Sequence, residues 1–262
     1  MSIVKALTIA GSDSGGGAGI QADLKTFSAF RVFGMSVVTA VTAQNSLGVQ
    51  GVFNLPPEFV ARQIDSVLSD FGADAIKIGM LSTAPIIEAV AARLPAHRHG
   101  PVVLDPVMIA KSGDPLLEPA ARSALMKAML PLADLVTPNL PEAAALANMT
   151  VDDERAMVEA ARRILGLGPR AVLVKGGHLA DSATDVLWDG RDLTRFPAAK
   201  LDSPNTHGTG CTYSSAIAAG LARGRALRDA IVEGKAFVTA AIREGFPAGH
   251  GVGALRHFVE RW

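Results

Sequence analysis

The chain has 262 residues, of which 49% are hydrophobic and 19% charged, so it can bury a large core and is not expected to be disordered. Lysine plus arginine balance aspartate plus glutamate at 25 each, which argues against a protein that binds nucleic acid or anionic membranes. The single cysteine, Cys211, excludes an internal disulfide.

The N-terminal apolar stretch is interrupted by Lys5 and runs into a glycine cluster, which is not typical of a secretory signal. No run in the sequence approaches the roughly 20 apolar residues of a membrane span. One thiol fits a reducing compartment. We therefore expect a cytoplasmic protein.

Short apolar runs alternate with amphipathic stretches, which is the pattern of an α/β fold. Most of the runs are continuous, as expected for strands of a parallel sheet that is covered on both faces. The predicted strands are Lys5–Ala10, Met35–Val41, Ala75–Ile78, Val102–Asp105, Leu135–Thr137 and Ala171–Lys175. The predicted helices are Gly19–Phe30, Pro57–Ser69, Ala84–Arg93, Glu118–Met129, Pro141–Ala147, Asp153–Leu165, Thr212–Arg223 and Leu227–Gly245.

The rhythm changes over Thr184–Phe196, where apolar residues flank the turn signal Asp189–Gly190. This pattern predicts antiparallel strands at one edge of the sheet. No linker, low-complexity tract or internal repeat interrupts the chain, so residues 1–262 are expected to form a single domain.

A first glycine cluster, Gly11–Gly19, follows the first predicted strand and opens the first predicted helix. Backbone N–H groups at such a turn can approach a ligand closely. The cluster lacks the Gly-Lys-Ser/Thr of a P-loop, and Ser14 lacks the Gly-x-Ser-x-Gly context of a nucleophile elbow. It is therefore either a tight strand-to-helix turn or a ligand-binding loop.

A second glycine cluster, Asn205–Ser215, precedes a helix of small residues. Consecutive N–H groups at Gly208–Cys211 would form an anion-binding nest at the positive end of the helix dipole. Such a nest can stabilise a phosphoryl group during its transfer. The alternative is a glycine-rich turn before a tightly packed helix.

Charged side chains follow three of the predicted strands. Asp105 and Glu142 come after separate strands, and ligands of open α/β sheets lie beyond the carboxyl ends of strands. Because Mg²⁺ bound with ATP takes carboxylate oxygens, both are candidate metal contacts. Lys175 ends another strand and could neutralise phosphate charge, although an exposed lysine beside a turn is the alternative. The six histidines show no zinc-binding spacing.

Together these segments resemble the bacterial hydroxymethylpyrimidine/phosphomethylpyrimidine kinases of the ribokinase-like superfamily. The resemblance is carried by motifs that span almost the whole chain in the order of the family. These motifs are residues 6–27, Ala43-Gln-Asn-Ser, Lys77-Ile-Gly-Met-Leu, Leu104-Asp-Pro-Val-Met, Lys111-Ser-Gly-Asp-Pro-Leu-Leu, Thr137-Pro-Asn-Leu-Pro-Glu-Ala, Val174-Lys-Gly-Gly-His and Asn205-Thr-His-Gly-Thr-Gly-Cys-Thr.

The resemblance implies a central, mostly parallel sheet flanked by helices on both faces, with ATP and Mg²⁺ as cofactors. It implies two successive phosphorylations of 4-amino-5-hydroxymethyl-2-methylpyrimidine, on the pathway to thiamine diphosphate, and a homodimer. By position in the motifs, it implies that Gln44, Gly11, Asp23 and Met80 bind the pyrimidine. It assigns the metal to Asp105 and Glu142, ATP phosphates to Lys175, Asn139 and Thr209, and catalysis to Cys211, Gly208 and Gly210.

Cys211 stands where sugar kinases of this superfamily usually carry an aspartate base. A thiol at a helix N-terminus can have a lowered pKa, so we hypothesise that Cys211 accepts or orients the proton of the substrate hydroxyl. The alternative is a small buried residue beside a backbone anion hole. Phosphoryl transfer depends more on positioning and charge stabilisation than on a strong base.

Three other functions are compatible with parts of the sequence. The first is phosphorylation of pyridoxine or pyridoxal, since Gln44 and Met80 suit any flat heteroaromatic ring. The second is a serine hydrolase that pairs Ser14 with His178 or His207. The third is a non-catalytic pyrimidine-binding module, against which the lysine, the carboxylates and the glycine nest all argue.

Overall fold

The computed structural model describes residues 3–108, 116–118, 120–177, 179, 182–260 and 262. The strands are β1 (Lys5–Asp13), β2 (Phe33–Asn45), β3 (Gly48–Asn54), β4 (Ala75–Ile78), β5 (Val102–Leu104), β6 (Leu135–Val136), β7 (Val172–Val174), β8 (Asp185–Trp188) and β9 (Leu193–Phe196). The helices are α1 (Gly19–Ala29), α2 (Pro57–Asp70), α3 (Ala84–Arg93), α4 (Ala121–Ala124), α5 (Leu140–Ala147), α6 (Glu154–Leu165), α7 (Thr209–Ala222) and α8 (Leu227–Arg243).

All nine strands belong to one sheet, in the order β3-β2-β1-β4-β5-β6-β7-β8-β9. Six neighbouring strands, β2, β1, β4, β5, β6 and β7, are parallel. At one edge, β3 pairs antiparallel with β2. At the other edge, β8 and β9 form the predicted antiparallel hairpin. The predicted α/β class, with a mostly parallel sheet and an antiparallel edge, is confirmed.

Two apolar cores cover the sheet because successive strand residues point to opposite faces. In β5, Val102 and Leu104 pack with helices α2 to α6, whereas Val103 packs with α1, α7 and α8. Small residues let α7 and α8 approach closely: a methyl group at Gly220 would lie 2.9 Å from Ala230 Cβ. Among the described helices, none combines the length and apolar character that a membrane span needs.

The structure differs from the sequence-based elements by three residues or more at four places, of which three shape the site. β1 runs three residues beyond the predicted Ala10, into the first glycine cluster, and β2 continues to Asn45 and turns back into the unpredicted β3. α7 begins at Thr209 rather than Thr212, because Gly208 adopts the left-handed conformation (φ 82°) and starts the helix early. The predicted helix Glu118–Met129 is only a short α-helical turn followed by a π-helical turn, Leu125–Met129.

Candidate active site

A cavity of about 850 Å³ opens at the carboxyl ends of the parallel strands, where the two glycine clusters meet. Every predicted site residue except Asp23 lines it: Gly11, Gln44, Met80, Asp105, Asn139, Glu142, Lys175, Gly208, Thr209, Gly210 and Cys211. The position agrees with the rule that ligands of open α/β sheets lie beyond the strand ends.

The first turn of α7 forms one wall of this cavity. The Thr209 N–H donates to the Thr206 carbonyl at 3.3 Å. Regular helical bonding begins where the Thr212 N–H donates to the Gly208 carbonyl at 2.9 Å. Within the described part of the chain, the N–H groups of Gly210 and Cys211 have no acceptor. Unpaired amides at a helix N-terminus attract anions, so this turn can hold a phosphate.

A buried ion pair lies against the same turn. Lys175 Nζ is 2.7 Å from Asp105 Oδ1, and Thr137 Oγ1 donates to the same oxygen at 3.2 Å. A methyl group at Gly210 would lie 3.4 Å from both Asp105 Oδ2 and Lys175 Nζ, so the glycine leaves room between the amides and the ion pair. Although burial favours the neutral amine, Asp105 and then Glu142 hold the pKa of Lys175 above its usual value.

Asn139 and Glu142 form a capping box at the start of α5. The Asn139 side chain accepts from the Glu142 N–H at 2.9 Å, and Glu142 Oε2 accepts from the Asn139 N–H at 2.8 Å. Burial, aided by the charge of Asp105, raises the pKa of Glu142 to about 7, against the opposing effect of Lys175. Two carboxylates and an amide thus face the cavity close to one cation.

Cys211 occupies the third position of α7 but is not an activated thiolate. Burial is the main cause that raises its pKa to about 11, and the lowering effect of the buried Lys77 does not compensate for it. The expectation of a lowered pKa, which was based on the helix N-terminus, is therefore wrong. The cost of placing a charged sulfur in a desolvated site outweighs the helix dipole.

The first glycine cluster is closed around a side chain of its own. Asp13 Oδ1 accepts from the Gly15 N–H at 2.8 Å, and Oδ2 accepts from Gly17 and Ala18 at 3.0 and 2.8 Å. His207 Nε2 lies 2.9 Å from the same Oδ2. Burial would raise the pKa of Asp13, but His207 and the loop amides lower it. These amides therefore bind an internal carboxylate instead of a ligand.

The two glycine clusters are also in direct backbone contact. A methyl group at Gly208 would lie 1.8 Å from the Gly17 carbonyl oxygen, and one at Gly17 would lie 2.1 Å from His207 Cδ2. Only glycine fits at position 208, and a side chain at position 17 would displace the imidazole of His207. The strand-to-helix turn after β1 thus fixes the position of the first turn of α7.

The other end of the cavity lies beside the ends of β1, β2 and β4. Gln44 Oε1 accepts from Thr42 Oγ1 at 3.1 Å, and Met80 is buried against Gly11, where a methyl group would lie 3.1 Å from its sulfur. Ser14 is bound to the Gln44 backbone through both its hydroxyl donor and its acceptor, at 2.9 Å each. Since His207 pairs with Asp13, the structure gives no support to a hydrolase that pairs Ser14 with His207.

Asp23 lies behind this wall and is fully buried. Its carboxylate accepts from Lys77 Nζ at 2.8 and 2.9 Å, from Thr8 Oγ1 at 2.6 Å and from Ser215 Oγ at 2.7 Å. Asp23 is not among the residues that line the cavity, so its contact with a ligand, which the resemblance implied, stays a prediction. Lys77 lines the cavity in its place.

Lys77 and His207 were not predicted as site residues. Asp23 is the main attraction that raises the pKa of Lys77 despite complete burial. A lysine in the apolar strand β4 was a visible signal, because such a charge needs a buried partner. The motif residues 111–115 and His178 lie outside the described residues.

The sequence model of the phosphomethylpyrimidine kinase family matches residues 13–256. The chain is 50% identical to the hydroxymethylpyrimidine/phosphomethylpyrimidine kinase of Salmonella typhimurium, over 100% of both chains. It is 53% identical to the thiamine biosynthesis bifunctional protein ThiED of Geobacter sulfurreducens, of which it spans only 52%.

The structure is similar to an ADP complex of Bacillus subtilis pyridoxal kinase, with a TM-score of 0.91, 43% identity and 98% of each chain covered. A family match over residues 13–256 and 50% identity over the full length show membership of the family, and not only a shared fold. The chain therefore belongs to the phosphomethylpyrimidine kinase family.

Proposed function

We propose that the chain transfers the γ-phosphoryl group of ATP to the hydroxymethyl group of 4-amino-5-hydroxymethyl-2-methylpyrimidine, and then phosphorylates the monophosphate. It is a hydroxymethylpyrimidine/phosphomethylpyrimidine kinase of thiamine biosynthesis, as are its full-length relatives. One observation carries the assignment of the site: a single cavity connects Gln44 and Met80 with the unpaired amides of Gly210 and Cys211.

The acceptor would lie at the Gln44 end. A side-chain amide offers both a donor and an acceptor to the edge of an aminopyrimidine, and Met80 supplies an apolar surface for the ring. Gln44 Oε1 lies 3.1 Å from Thr42 Oγ1, whose hydroxyl also donates to the Ser12 carbonyl at 2.9 Å. Among the described residues the NH₂ group of Gln44 has no partner, so it would be available to the ligand. The hydroxymethyl group would then point toward α7.

The phosphoryl group would be held between the α7 amides and the Lys175 ammonium. These donors are fixed in advance by the helix turn and by Asp105, so they can stabilise charge in the transition state without rearranging. Lys175, Asn139 and Thr209 are proposed to contact the phosphates of ATP. The α7 amides and the Lys175 ammonium would offset part of the charge that two phosphate-bearing substrates bring together.

The residues present fit Mg²⁺ bound together with ATP. The partner of Asp105 Oδ2 among the described residues is Ser214 Oγ, at a long 3.5 Å, and Glu142 adds a second carboxylate. Since no group of three or more His, Cys, Asp and Glu side chains is placed to bind a metal in the described ranges, phosphate oxygens and water would complete its ligands. The ion would supply charge neutralisation at the phosphates.

Pyridoxal is a second candidate acceptor, favoured by the likeness to a pyridoxal kinase. A coupled ATP-consumption assay with hydroxymethylpyrimidine and pyridoxal side by side, with product masses recorded, separates the two acceptors. We expect kcat/KM to be higher for hydroxymethylpyrimidine than for pyridoxal. The ratio of the two values measures the specificity of the enzyme. A higher kcat/KM for pyridoxal, or ATP consumption that does not depend on added pyrimidine, would contradict the assignment.

We also propose that the chain forms a single domain, that the protein is cytoplasmic and that it is a homodimer. Exposed apolar side chains on the β2–β3 hairpin, namely Val41, Val52 and Phe53, would suit a contact between subunits. Light scattering on the purified chain measures the oligomeric state directly.

A further inference from the structure

We propose that Asp185 is a positioning residue for the nucleotide half of the site. It is the first residue of β8, is only 3% exposed and lines the cavity. Its role would be to fix the turn that carries Lys175. The inference rests on the proposed contact between Lys175 and the phosphates of ATP.

The Asp185 carboxylate joins the turn after β7 to both helices on one face of the sheet. Oδ1 accepts from the Gly176 N–H at 2.9 Å, and Oδ2 accepts from the Tyr213 hydroxyl at 2.9 Å and from Lys235 Nζ at 2.6 Å. Tyr213 lies on α7 and Lys235 on α8. One buried charge therefore holds four elements together beside the cavity.

The turn after β7 is also restrained by close backbone packing. A methyl group at Gly176 would lie 1.8 Å from the Thr184 carbonyl oxygen, so this backbone packs directly against the residue before Asp185. Gly176 follows Lys175, whose ammonium is 2.7 Å from Asp105. Because Gly176 directly follows Lys175, loss of the Asp185 bond to the Gly176 amide would loosen the backbone that positions the Lys175 ammonium.

The charge of Asp185 also determines where a second cation lies. Lys235 is 13% exposed and donates to Asp185 Oδ2 and to the Ala183 carbonyl, both at 2.6 Å. An ammonium has three donors, so one N–H is left for a ligand in the cavity that Lys235 lines. Without the carboxylate, a nearly buried cation would be unpaired and would leave this position.

The test compares Asp185→Asn and Asp185→Ala with a matched control, Asp189→Asn. Asparagine keeps an acceptor for Gly176 but removes the charge, whereas alanine removes both. Asp189 also joins the β8–β9 hairpin to α8, through Arg228 Nη2 at 3.3 Å, but it does not line the cavity. Steady-state kinetics give KM for ATP, KM for the pyrimidine and kcat, and thermal unfolding reports stability.

We expect Asp185→Asn to raise KM for ATP about tenfold, with KM for the pyrimidine within about twofold of wild type. Asp185→Ala should have the larger effect, and Asp189→Asn should leave all three constants unchanged. If Asp185→Ala does not fold, Asp185→Asn, which keeps the size of the side chain, carries the test, and its KM for ATP should still rise selectively. An unchanged KM for ATP, or equal changes for both substrates, would overturn the inference.

Lys175→Met in the same assay separates this inference from the proposed role of Lys175. If Lys175→Met leaves KM for ATP and kcat unchanged, the phosphate contact of Lys175 is wrong. If Lys175→Met impairs the enzyme and Asp185→Asn does not, only the positioning role of Asp185 is wrong.

Discussion

The Cys211 side chain illustrates how two opposing effects decide the state of a residue. The helix N-terminus and Lys77 favour the thiolate, whereas burial and the carboxylates of Asp23 and Asp105 favour the thiol. Burial dominates, and the pKa rises to about 11. A raised pKa favours the protonated thiol at neutral pH, which argues against a standing thiolate as the general base.

Alkylation of the single cysteine measures this directly. Because the pKa of the folded protein lies about two units above that of a free thiol, iodoacetamide should modify native Cys211 about a hundredfold more slowly than the denatured chain at pH 7.5. The native rate should also rise about tenfold per pH unit up to pH 10 without a plateau. Intact mass after timed quenching gives both rates.

The Cys211→Ser variant, which cannot be alkylated, serves as the blank for this measurement. A native rate that levels off below pH 9 would show a thiolate with an ordinary or lowered pKa. In that case the base hypothesis regains its basis. Turnover of Cys211→Ser and Cys211→Ala near the wild-type value would, in contrast, remove the need for a base at this position.

At the scale of elements, the two glycine clusters have different tasks although they look alike in the sequence. The first binds the Asp13 carboxylate and locks a strand-to-helix turn, whereas the second leaves the amides of Gly210 and Cys211 unpaired at the cavity. Composition alone could not separate a structural turn from a ligand-binding one. The difference depends on which side chain reaches each set of N–H groups.

The first turn of α7 carries the amides that are proposed to hold the phosphoryl group during transfer. Gly210→Ala should lower kcat about a hundredfold or more, because the added methyl group would lie 3.4 Å from Asp105 Oδ2 and Lys175 Nζ, in the space meant for a phosphoryl group. The helix itself should tolerate alanine, so the unfolding temperature should be nearly unchanged. Steady-state kinetics and thermal unfolding together check both expectations.

Gly51→Ala in β3 is the matched control. Its methyl group would meet only Ala43 Cβ, at 3.9 Å, and Gly51 does not line the cavity. It should leave kcat within about twofold of wild type. Full activity of Gly210→Ala would show that the space beside these amides is not used during transfer.

Strand ends were the part of the site most accessible to sequence analysis. Asp105 and Lys175 directly follow continuous apolar runs, and the parallel sheet then places them at one edge. The pairs that join distant segments could not be predicted: Asp23 with Lys77, and Asp13 with His207, 194 positions apart. Such pairs depend on the three-dimensional arrangement of elements whose sequences carry no mark of the partner.

The β2–β3 hairpin was missed for a different reason. Its outer strand β3 has no buried residue, so it lacks the apolar alternation that identifies a half-buried strand. The hairpin nonetheless carries Gln44 near its turn, and this turn contacts the C-terminal part of the chain. An edge element with no buried face can thus position a substrate contact.

At the scale of the whole molecule, residues 245–254 connect the two halves of the site without lining the cavity. The Val252 N–H donates to the Ser46 carbonyl at 3.0 Å, two residues beyond Gln44. The Gly253 carbonyl accepts from the His207 N–H at 3.0 Å, just before the first turn of α7. The distance between the acceptor end and the transfer end therefore depends on a segment remote in sequence from both.

This connection predicts a mutation whose effect is confined to the acceptor. A methyl group at Gly251 would lie 2.0 Å from the Ser46 carbonyl oxygen, so Gly251→Ala must displace the hairpin turn next to Gln44. We expect KM for the pyrimidine to rise about tenfold while KM for ATP stays within about twofold, because the Lys175 and Asp105 end is held by other elements. Ala248→Ser, at an exposed position of the same segment, should change neither constant. Equal effects of Gly251→Ala on both substrates would mean that the segment supports the fold as a whole, and that the hairpin does not set the acceptor end separately.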